Sequence, residues 1–392
     1  MSAPINVRSN QNQVRSSITG KLDGSPIKVK PSEPTKSKSI EDHIEQFYIS
    51  DTLKNEICDV ASTVATNPYK YIVKFRKEAA EKIVPLLPKE LVTALKNFGD
   101  HKGNPAININ NMPISRNGLC PTPKDGTIPN KSDFVSEAVL AAIADVVGGK
   151  MATQNHEIAA ESVKKLQEEP IEQIVPNERI NKVPKDYNLV QFIHVEDSNK
   201  LNTPDVLLVS TLRGDKNAKT VFLPADKIIN DLDPRVTETL KKPLFIFRPE
   251  AGEEGETTKG PILYKDKNGN NSICFHTEFE ATEGLTKEAE SAVWTLRSYL
   301  TDKVRDSATL THDSGQIFLS DNHRSLHGTF PFEKSKGQEA DMGRWIQRAY
   351  LVGTGTGSNA IDAEGNKKNA VQAPLTSIKV PDNADAIHAP AA

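Results

Sequence analysis

The sequence has few cysteines and no paired ones. Cys58, Cys120 and Cys274 are far apart along the chain, and none of them belongs to a CxxC pair. Three scattered thiols indicate neither a disulfide framework nor a zinc site built from thiolates. We therefore expect a cytoplasmic protein that works in a reducing compartment.

Long apolar runs and an excess of one charge are also absent. No stretch approaches the roughly 20 apolar residues of a membrane span, and the first residues, MSAPINVRSNQNQ, lack the apolar centre of a secretory signal. Charged residues make up 26% of the chain and the formal net charge is -3. Such a chain is not drawn to nucleic acid or to an anionic membrane, so a bulk polyanion is not the expected partner.

Large apolar side chains are scarce at both ends of the 392-residue chain. Residues 1–38 are rich in Ser, Asn, Lys and Pro, which predicts a flexible arm. Residues 353–392 are rich in Gly, Asn, Ala and Pro and predict an irregular tail, in which only LTSIKV is suited to form an added strand. The folded domain is therefore expected at residues 39–352.

The first half of this domain, residues 39–183, has helical character. Apolar residues recur at helical spacing within Ile40–Phe98, and Phe134–Val147 reads as a further helix. A third helical segment, Thr286–Val304, interrupts the second half of the domain. Its apolar residues form one stripe that should pack on a sheet face, namely Ala289, Val293, Leu296 and Leu300.

The second half, residues 184–352, consists mainly of short β-rich runs separated by turn residues. They include LVQFIHV, DVLLVSTL, TVFLP, PLFIFRP, GPILY, SICFHTEFE, QIFLSDN and IQRAYLV. Many short strands of this kind predict an antiparallel barrel or jelly roll. The expected fold class is mainly β with flanking helices, an α+β fold.

Two histidines four residues apart, His323 and His327, occur in IFLSDNHRSLHGTFPF. On a helix this spacing would place both imidazoles on one face, as in a zinc hydrolase. The segment predicts a strand and a turn instead, because its apolar run is short and glycine and proline follow the second histidine. Arg324 also stands where the zinc hydrolases need glutamate. One histidine of the pair therefore needs metal-binding partners from elsewhere in the chain.

Such partners occur in FIHVEDSN. His194 and Glu196 are two residues apart on a predicted strand, so both side chains project to the same side and can bind one cation. Two imidazoles and one carboxylate leave three positions of an octahedral ion open, which is the ligand set of non-haem Fe(II) oxygenases. Arg344 and Arg348 follow the histidine pair, lie on one face of a strand and are suited to hold carboxylates.

A set of segments between about Leu86 and Val352 resembles the clavaminate-synthase-like branch of the Fe(II)- and 2-oxoglutarate-dependent oxygenases. The segments are LPKELVTALKNFGDHKGNPAININNMPI, KSDFVSEAVLAAIADVVGG, IHVEDSNKLNTPDVLLVSTLRGD, EAESAVWTL, GQIFLSDNHRSLHG and RWIQRAYL. This branch includes hydroxylases of free arginine, lysine and asparagine. The resemblance implies a distorted double-stranded β-helix, a cupin-like jelly roll, that uses Fe(II), 2-oxoglutarate as co-substrate and O2.

The resemblance also implies roles for residues that match the family motifs. The metal-binding, catalytic set would be His194, Glu196 and His327, the last of these preceding glycine in HG. His323 would then lie outside the ligand set.

The co-substrate and the amino-acid head group match four further positions. Arg344, just before Trp, would bind a carboxylate of 2-oxoglutarate with help from the Thr220 hydroxyl. Arg348 would hold the α-carboxylate of the substrate, and Gln154 would meet its α-amino group.

A second HxE, formed by His276 and Glu278, competes for the metal assignment. The 51 residues between His276 and His327 are too few for the strands and the helix predicted between them, so we exclude this motif as the metal site. In the arginine-type hydroxylases of the family, paired acids at about the place of Glu278 and Glu280 clamp a cationic side chain. Solvated strand residues are an equal alternative for these two acids.

The expected function is hydroxylation of an unactivated carbon of a free L-amino acid, with arginine or lysine preferred. The chain departs from the family pattern at Thr329, which stands where arginine usually follows HG, and in the long segment 333–343. These departures affect the identity of the substrate more than the metal site. The alternatives are the same chemistry on a neutral or peptide-bound amino acid, a catalytically silent jelly-roll binding module, and a zinc hydrolase.

Overall fold

The structure is a computed structural model that describes residues 39–123, 131–152, 168, 171–174, 193–196, 198, 203–249, 257–266, 268–278, 281–302, 309–329, 343–354 and 375–378. These residues all lie within Ser37–Ala392, which forms one unit of the chain. The strands in chain order are β1 Ile44–Tyr48, β2 Ala106–Asn110, β3 Lys150–Ala152, β4 Glu172–Ile174, β5 Val206–Arg213, β6 Lys219–Pro224, β7 Phe245–Phe247, β8 Thr258–Gly260, β9 Leu263–Lys265, β10 Asn271–Ile273, β11 Thr282–Gly284, β12 Thr309–Thr311, β13 Ile317–Asp321, β14 Ser325–Thr329, β15 Trp345–Val352 and β16 Thr376–Ser377.

Helices accompany the strands at both ends of the domain. They are α1 Asp51–Ala61, α2 Ile72–Ile83, α3 Lys89–Gly99, α4 Val135–Val147, α5 Ala225–Asp231, α6 Pro234–Leu240 and α7 Lys287–Asp302, with short 3-10 turns at Glu41–His43 and Val84–Leu86. The predicted helices at 134–147 and 286–304 are thus confirmed in their described parts. The apolar stripe predicted on α7 is buried as expected.

The largest sheet has the strand order β1-β2-β13-β5-β15-β3, and β4 also pairs with β15. Its centre consists of the predicted strands β13, β5 and β15, in which β5 pairs antiparallel with both of its neighbours. Every residue of β13 is buried. Strands that are covered on both faces read as continuous apolar runs, which is why the sequence signal was strongest here.

Two hydrophobic cores cover the two faces of this sheet. Leu319 of β13 packs into the core formed with α1 to α4, whereas its neighbour Phe318 packs into the core formed with β6, β7, β9, β10 and α7. Successive side chains of a strand point to opposite faces, so each core receives alternate residues of β13. The sheet therefore carries the helical layer on one side and the smaller sheets on the other.

The smaller sheets have the strand orders β10-β9, β11-β7-β8-β16 and β12-β6-β14. β16, in the predicted add-on segment LTSIKV, pairs antiparallel with β8, so that prediction is confirmed. β14 pairs antiparallel with β6 and places Thr329 opposite Thr220. The α+β class predicted from the sequence is confirmed by this mixture of helices and mostly antiparallel sheets.

Four strands, β1 to β4, lie in the first half of the domain, which was predicted to be helical. β1 lies in the stretch to which helical spacing was assigned, and it pairs parallel with β2, placing Ile44 opposite Ala106. A five-residue strand gives a weak periodic signal, and its partner lies 62 residues away in sequence, so no local pattern reveals the pair. α5 and α6 likewise interrupt the predicted β half.

No helix within the described ranges is long and apolar enough to cross a membrane.

The contact between α3 and α4 predicts a sensitive position. A Cβ added at Gly99 would lie 2.0 Å from the carbonyl oxygen of Val147, which is backbone and has little room to move. Gly99→Ala should therefore lower the free energy of unfolding by about 1–3 kcal/mol, the usual range for overpacking. Urea denaturation measures this change. The exposed Lys96→Ala, on the same helix, should stay within about 0.5 kcal/mol of the parent protein, and equal effects of the two variants would contradict the predicted clash.

Candidate metal centre

Backbone pairing brings His194 beside His327. The N–H of His194 donates to the carbonyl of His327 at 2.9 Å, and the N–H of His327 donates to the carbonyl of His194 at 3.0 Å. On its other side the same segment pairs with the chain around His276, where the N–H of Val195 donates to the carbonyl of Phe275 at 3.0 Å. Directly opposite residues of an antiparallel pair project to the same face, so the imidazoles of His194 and His327 are neighbours.

Glu196 completes a group of three ligand side chains. Its Oε1 lies 3.6 Å from His194 Nε2 and 3.1 Å from His327 Nε2. Within the described residues, His194, Glu196 and His327 form a group whose ligand atoms all lie within 4.8 Å of one another. The strand spacing of His194 and Glu196, predicted from the sequence, therefore agrees with their side chains sharing one site.

These distances suit a metal ion. Two ligand atoms on adjacent corners of an octahedron, each about 2.1 Å from the ion, lie about 3 Å apart. Two imidazole nitrogens converge on one carboxylate oxygen at about this separation, and Nδ1 of His327 is buried with no hydrogen-bond partner among the described residues. The arrangement fits a cation bound by two imidazoles and a carboxylate, with further positions left for other ligands.

The protonation states of the group also suit a cation. Burial raises the pKa of Glu196, but hydrogen bonds from His194 and His327 outweigh burial and bring that pKa well below its usual value. Burial lowers the pKa of His327 despite the opposing effect of Glu196. The carboxylate is therefore ionised and the His327 imidazole neutral at neutral pH, and these are the forms that bind metals.

The turn between β13 and β14 positions this group. Asn322 is fully buried; its Oδ1 accepts a hydrogen bond from the N–H of Glu196 at 3.0 Å, and its Nδ2 donates to the carbonyl of Glu196 at 3.2 Å. The side chain thus binds the backbone of Glu196 through both its donor and its acceptor. Asn322 lies in the turn predicted after the strand, and Glu196, to which it binds, lies 126 positions away, so no local pattern indicated this role.

His323 has other partners than the metal group. Its Nε2 lies 3.2 Å from Oδ1 of Asp205, and its Nδ1 lies 3.4 Å from the hydroxyl of Tyr264. His327 lies on a strand rather than a helix. The zinc-hydrolase alternative, which needs both histidines on one helical face, is therefore wrong.

His276 packs against the group without joining it. Its imidazole stacks on that of His194 with ring centroids 5.0 Å apart, and its Nδ1 accepts a hydrogen bond from the N–H of Glu278 at 3.0 Å. The second HxE motif was excluded as the metal site because of its sequence spacing. In the structure its histidine is nevertheless in contact with a proposed metal ligand. The Glu278 side chain is half-buried, and Glu280 lies outside the described residues. Gln154 also lies outside them.

Arg344 is buried and lies near the carboxylate of Asp215. Burial lowers the pKa of its guanidinium to about 10 despite the nearby carboxylate of Asp215, so Arg344 remains protonated at neutral pH. Burial and the charge of Arg344 lower the pKa of His312 to about 4, so this imidazole is neutral. His312 directly follows β12, which places Leu310 opposite Thr220 on β6. His312, which is close to Arg344, and Thr220 therefore belong to neighbouring strands of one sheet or to the residue directly after one of them.

Arg348 lies beside the metal group. Its Nη1 is 3.9 Å from Oε1 of Glu196, and its guanidinium lies over the ring of Tyr350 at 5.0 Å. Its Nε donates to Oε2 of Glu172 on β4 at 2.9 Å. Neither Glu172 nor Tyr350 was predicted from the sequence. Tyr350 is two residues from Arg348 on the same strand, and this spacing indicates that the two side chains share a face.

Comparison with solved structures finds the same fold in non-haem iron oxygenases. The structure of asparagine oxygenase with Fe(II), 2S,3S-3-hydroxyasparagine and succinate matches with a TM-score of 0.62 at 19% identity, covering 78% of this chain and 93% of that chain. The iron oxygenase OrfP with Fe, succinate and (3S)-hydroxy-L-Arg matches with a TM-score of 0.60 at 18% identity and the same coverages of 78% and 93%. No family model and no curated protein sequence matches this chain. The resemblance predicted from the sequence is thus confirmed at the level of the fold.

The two histidines of the original pair should respond differently to mutation. His327→Ala should weaken binding of Fe(II), or of Mn(II) as a stable substitute, by more than about 100-fold, because loss of outer-shell partners alone costs about 10–100-fold. Anaerobic titration calorimetry measures this affinity. His323→Ala should lower the thermal stability yet keep the affinity within about tenfold of the parent protein. Equal losses of affinity in the two variants would contradict the assignment of His327.

Proposed function

We propose that the protein is an Fe(II)- and 2-oxoglutarate-dependent dioxygenase that hydroxylates an unactivated carbon of a free L-amino acid, preferably a basic one. The observation that carries this proposal is the convergence of His194, Glu196 and His327 within a fold shared with iron oxygenases. We further infer that the sheets form a distorted double-stranded β-helix, and that residues 39–352 carry the activity in the cytoplasm. Residues 1–38 would be an arm that precedes this domain, and residues 353–392 a tail that follows it and adds β16 to β8.

Iron and co-substrate would occupy adjacent parts of one site. His194, Glu196 and His327 would hold Fe(II), and Arg344 with Thr220 would hold a carboxylate of 2-oxoglutarate. When bound, Fe(II) and 2-oxoglutarate supply the oxidation, in which O2 and 2-oxoglutarate give succinate and CO2 while one C–H bond of the substrate becomes C–OH.

The protein residues supply charge and position. Glu196 stays ionised in a buried site and offsets part of the charge of the cation. Arg344 stays protonated near the carboxylate of Asp215, and the neighbouring His312 is uncharged. A guanidinium that is removed from water binds a carboxylate more strongly than an exposed one, because the surrounding protein screens the charges less.

The choice of substrate rests on residues other than the metal ligands. Arg348, whose Nη1 lies 3.9 Å from Oε1 of Glu196, is proposed to bind the α-carboxylate of the substrate, and Gln154 is proposed to meet the amino group. The preference for a basic side chain rests on Glu278 and Glu280. A neutral amide side chain is the second candidate, because asparagine oxygenase, whose fold this chain shares, was solved with a hydroxylated asparagine.

A panel of substrates tests the proposed reaction. The protein with Fe(II), 2-oxoglutarate and O2 should release succinate with at least one free L-amino acid, and arginine or lysine should exceed asparagine and other neutral amino acids. Succinate is measured by coupled assay or by mass spectrometry. Release with asparagine alone would favour the second candidate. If anaerobic addition of Fe(II) and 2-oxoglutarate produces no charge-transfer absorption, the proposed function as a whole is wrong.

The role of Arg344 is tested through the co-substrate. Arg344→Gln should raise the KM for 2-oxoglutarate by about 10–100-fold, the range expected for loss of hydrogen bonds to a charged group, and Arg344→Lys should recover part of the affinity. Steady-state kinetics with varied 2-oxoglutarate measures the effect. Arg76→Gln is the matched control, because Arg76 is also partly buried but pairs with Asp145 and Glu168 rather than with any proposed site residue. An unchanged KM in Arg344→Gln would remove Arg344 from the site.

A further inference from the structure

Arg213, the last residue of β5, is connected to the chain on both sides of Arg344, and the proposed reaction gives it no role. Its guanidinium lies over the ring of Trp345, the residue after Arg344, with Cζ 5.6 Å from the ring centroid. Its Nη1 donates to the hydroxyl of Thr122 at 2.8 Å, and that hydroxyl donates to the carbonyl of Gly343, the residue before Arg344, at 2.8 Å. One guanidinium thus acts on both neighbours of Arg344.

The segment that carries Thr122 is held by the same guanidinium. Nη2 of Arg213 donates to the carbonyl of Cys120 at 2.6 Å and to that of Leu119 at 3.2 Å. The side chains of Leu119 and Cys120 also pack against the small apolar cluster that contains Trp345. Thr122 is itself buried, so little water competes for its hydroxyl. Its position relative to the end of β5 is therefore fixed by polar and apolar contacts together.

The ring of Trp345 is fixed from its other end. This side chain is fully buried, and its Nε1 donates to Oε1 of Gln173 on β4 at 2.7 Å. Nε2 of Gln173 donates in turn to the hydroxyl of Tyr69 at 3.0 Å. The ring therefore has one orientation, and its face is available for the cation–π contact with Arg213.

These contacts matter because Arg344 stands just before the regular sheet. β15 begins at Trp345, which lies opposite Arg213, and the register of its pairing with β5 shifts directly afterwards, between Trp345 and Ile346. The regular ladder thus does not extend through Arg344. A binding group that is already held in its bound position loses less freedom when the ligand arrives, and the complex is tighter for that reason.

We propose that Arg213 and Thr122 are positioning residues for the co-substrate: they fix the backbone on both sides of Arg344, so that its guanidinium is in place before 2-oxoglutarate binds. Neither residue acts by contact with 2-oxoglutarate. This inference rests on the proposed function and deepens it, because it assigns part of the co-substrate affinity to two residues that act through Arg344. The hydroxyl of Thr122 is the sensitive point, since it accepts from Arg213 and donates to Gly343.

Replacement of that hydroxyl tests the proposal. Thr122→Val removes the hydroxyl and keeps the shape of the side chain, whereas Thr122→Ser keeps the hydroxyl. Anaerobic calorimetry measures the binding of 2-oxoglutarate to protein that holds Mn(II), without substrate. Thr122→Val should weaken this binding about 3–30-fold, the range for residues that act through a neighbour. Thr122→Ser should stay within about twofold of the parent protein, because it retains both the donor and the acceptor.

A double-mutant cycle with Arg344 separates positioning from a general structural effect. In an Arg344→Gln background, Thr122→Val should weaken 2-oxoglutarate binding by less than about twofold, because an effect that passes through Arg344 disappears with it. The affinity for Mn(II) should also stay within about twofold of the parent protein, since the proposed metal ligands lie on other segments. A loosened fold would change both affinities in either background.

A matched control uses a second buried threonine. The hydroxyl of Thr239 lies 3.0 Å from the carbonyl oxygen of Arg235 and 2.9 Å from Oε1 of Glu288, none of which belongs to the proposed site. Thr239→Val should therefore leave the affinity for 2-oxoglutarate unchanged. Thermal unfolding verifies that each variant is folded. If Thr122→Val does not fold, Thr122→Ala replaces it in the comparison with Thr122→Ser.

The outcomes distinguish this inference from the proposed function. The positioning role is overturned if Thr122→Val weakens 2-oxoglutarate binding by less than about threefold, or if it weakens binding equally in the parent and Arg344→Gln backgrounds. An equal loss in Thr122→Ser would overturn it as well. The proposed function stands after any of these results, provided that the parent protein binds 2-oxoglutarate and an amino acid yields succinate. Failure of the parent protein to bind 2-oxoglutarate would overturn both.

Discussion

The candidate centre depends on two backbone hydrogen bonds, those that His194 and His327 exchange at 2.9 and 3.0 Å. They join segments that are 133 residues apart and set the register between them. A slip of one residue would turn the imidazole of one strand to the opposite face and separate it from the other. Once this register is set, the position of Glu196 follows from its i+2 relation to His194, and Asn322 holds the backbone of Glu196 from the neighbouring turn.

The stability of that register comes from a buried polar turn. Asp321 Oδ2 accepts a hydrogen bond from Arg324 Nε at 2.7 Å and lies 2.8 Å from Nδ1 of His101. Its Oδ1 accepts from the backbone N–H groups of His323 and Arg324 at 3.0 and 3.1 Å. Burial raises the pKa of Asp321, but the charges of Arg324 and His101 outweigh it and keep the pKa far below the usual value. Buried charges are costly unless each one is paired and hydrogen-bonded, so this turn is stable only in the arrangement in which all its partners meet. His323 belongs to this turn through Asp205, which is why the first histidine of the pair has a structural role and the second faces Glu196.

Much of the fold was accessible from the sequence, because long buried strands and striped helices carry their signal locally. β5, β13, β15 and α7 were predicted from apolar runs and spacing, and they form the framework around the centre. β1 and β2 were not predicted as strands, since each is short and gains its stability from a distant partner. Among the site residues, Glu172 illustrates the limit: it is an ordinary glutamate in a three-residue strand, and only the pairing of β4 with β15 makes it a neighbour of Arg348.

The sequence by itself determined which side chains of the centre can act together at short range, because strand geometry fixes the directions of residues two apart, as in His194 and Glu196. The family resemblance indicated His327 as the third ligand, but only the tertiary structure showed which strand register brings it beside His194 and which carboxylate stands beside Arg348. Those choices depend on the register between strands far apart in the chain. The register depends on the packing of both cores and on the pairing of buried charges. Both involve residues far apart in the chain, so no single segment of the sequence reveals them.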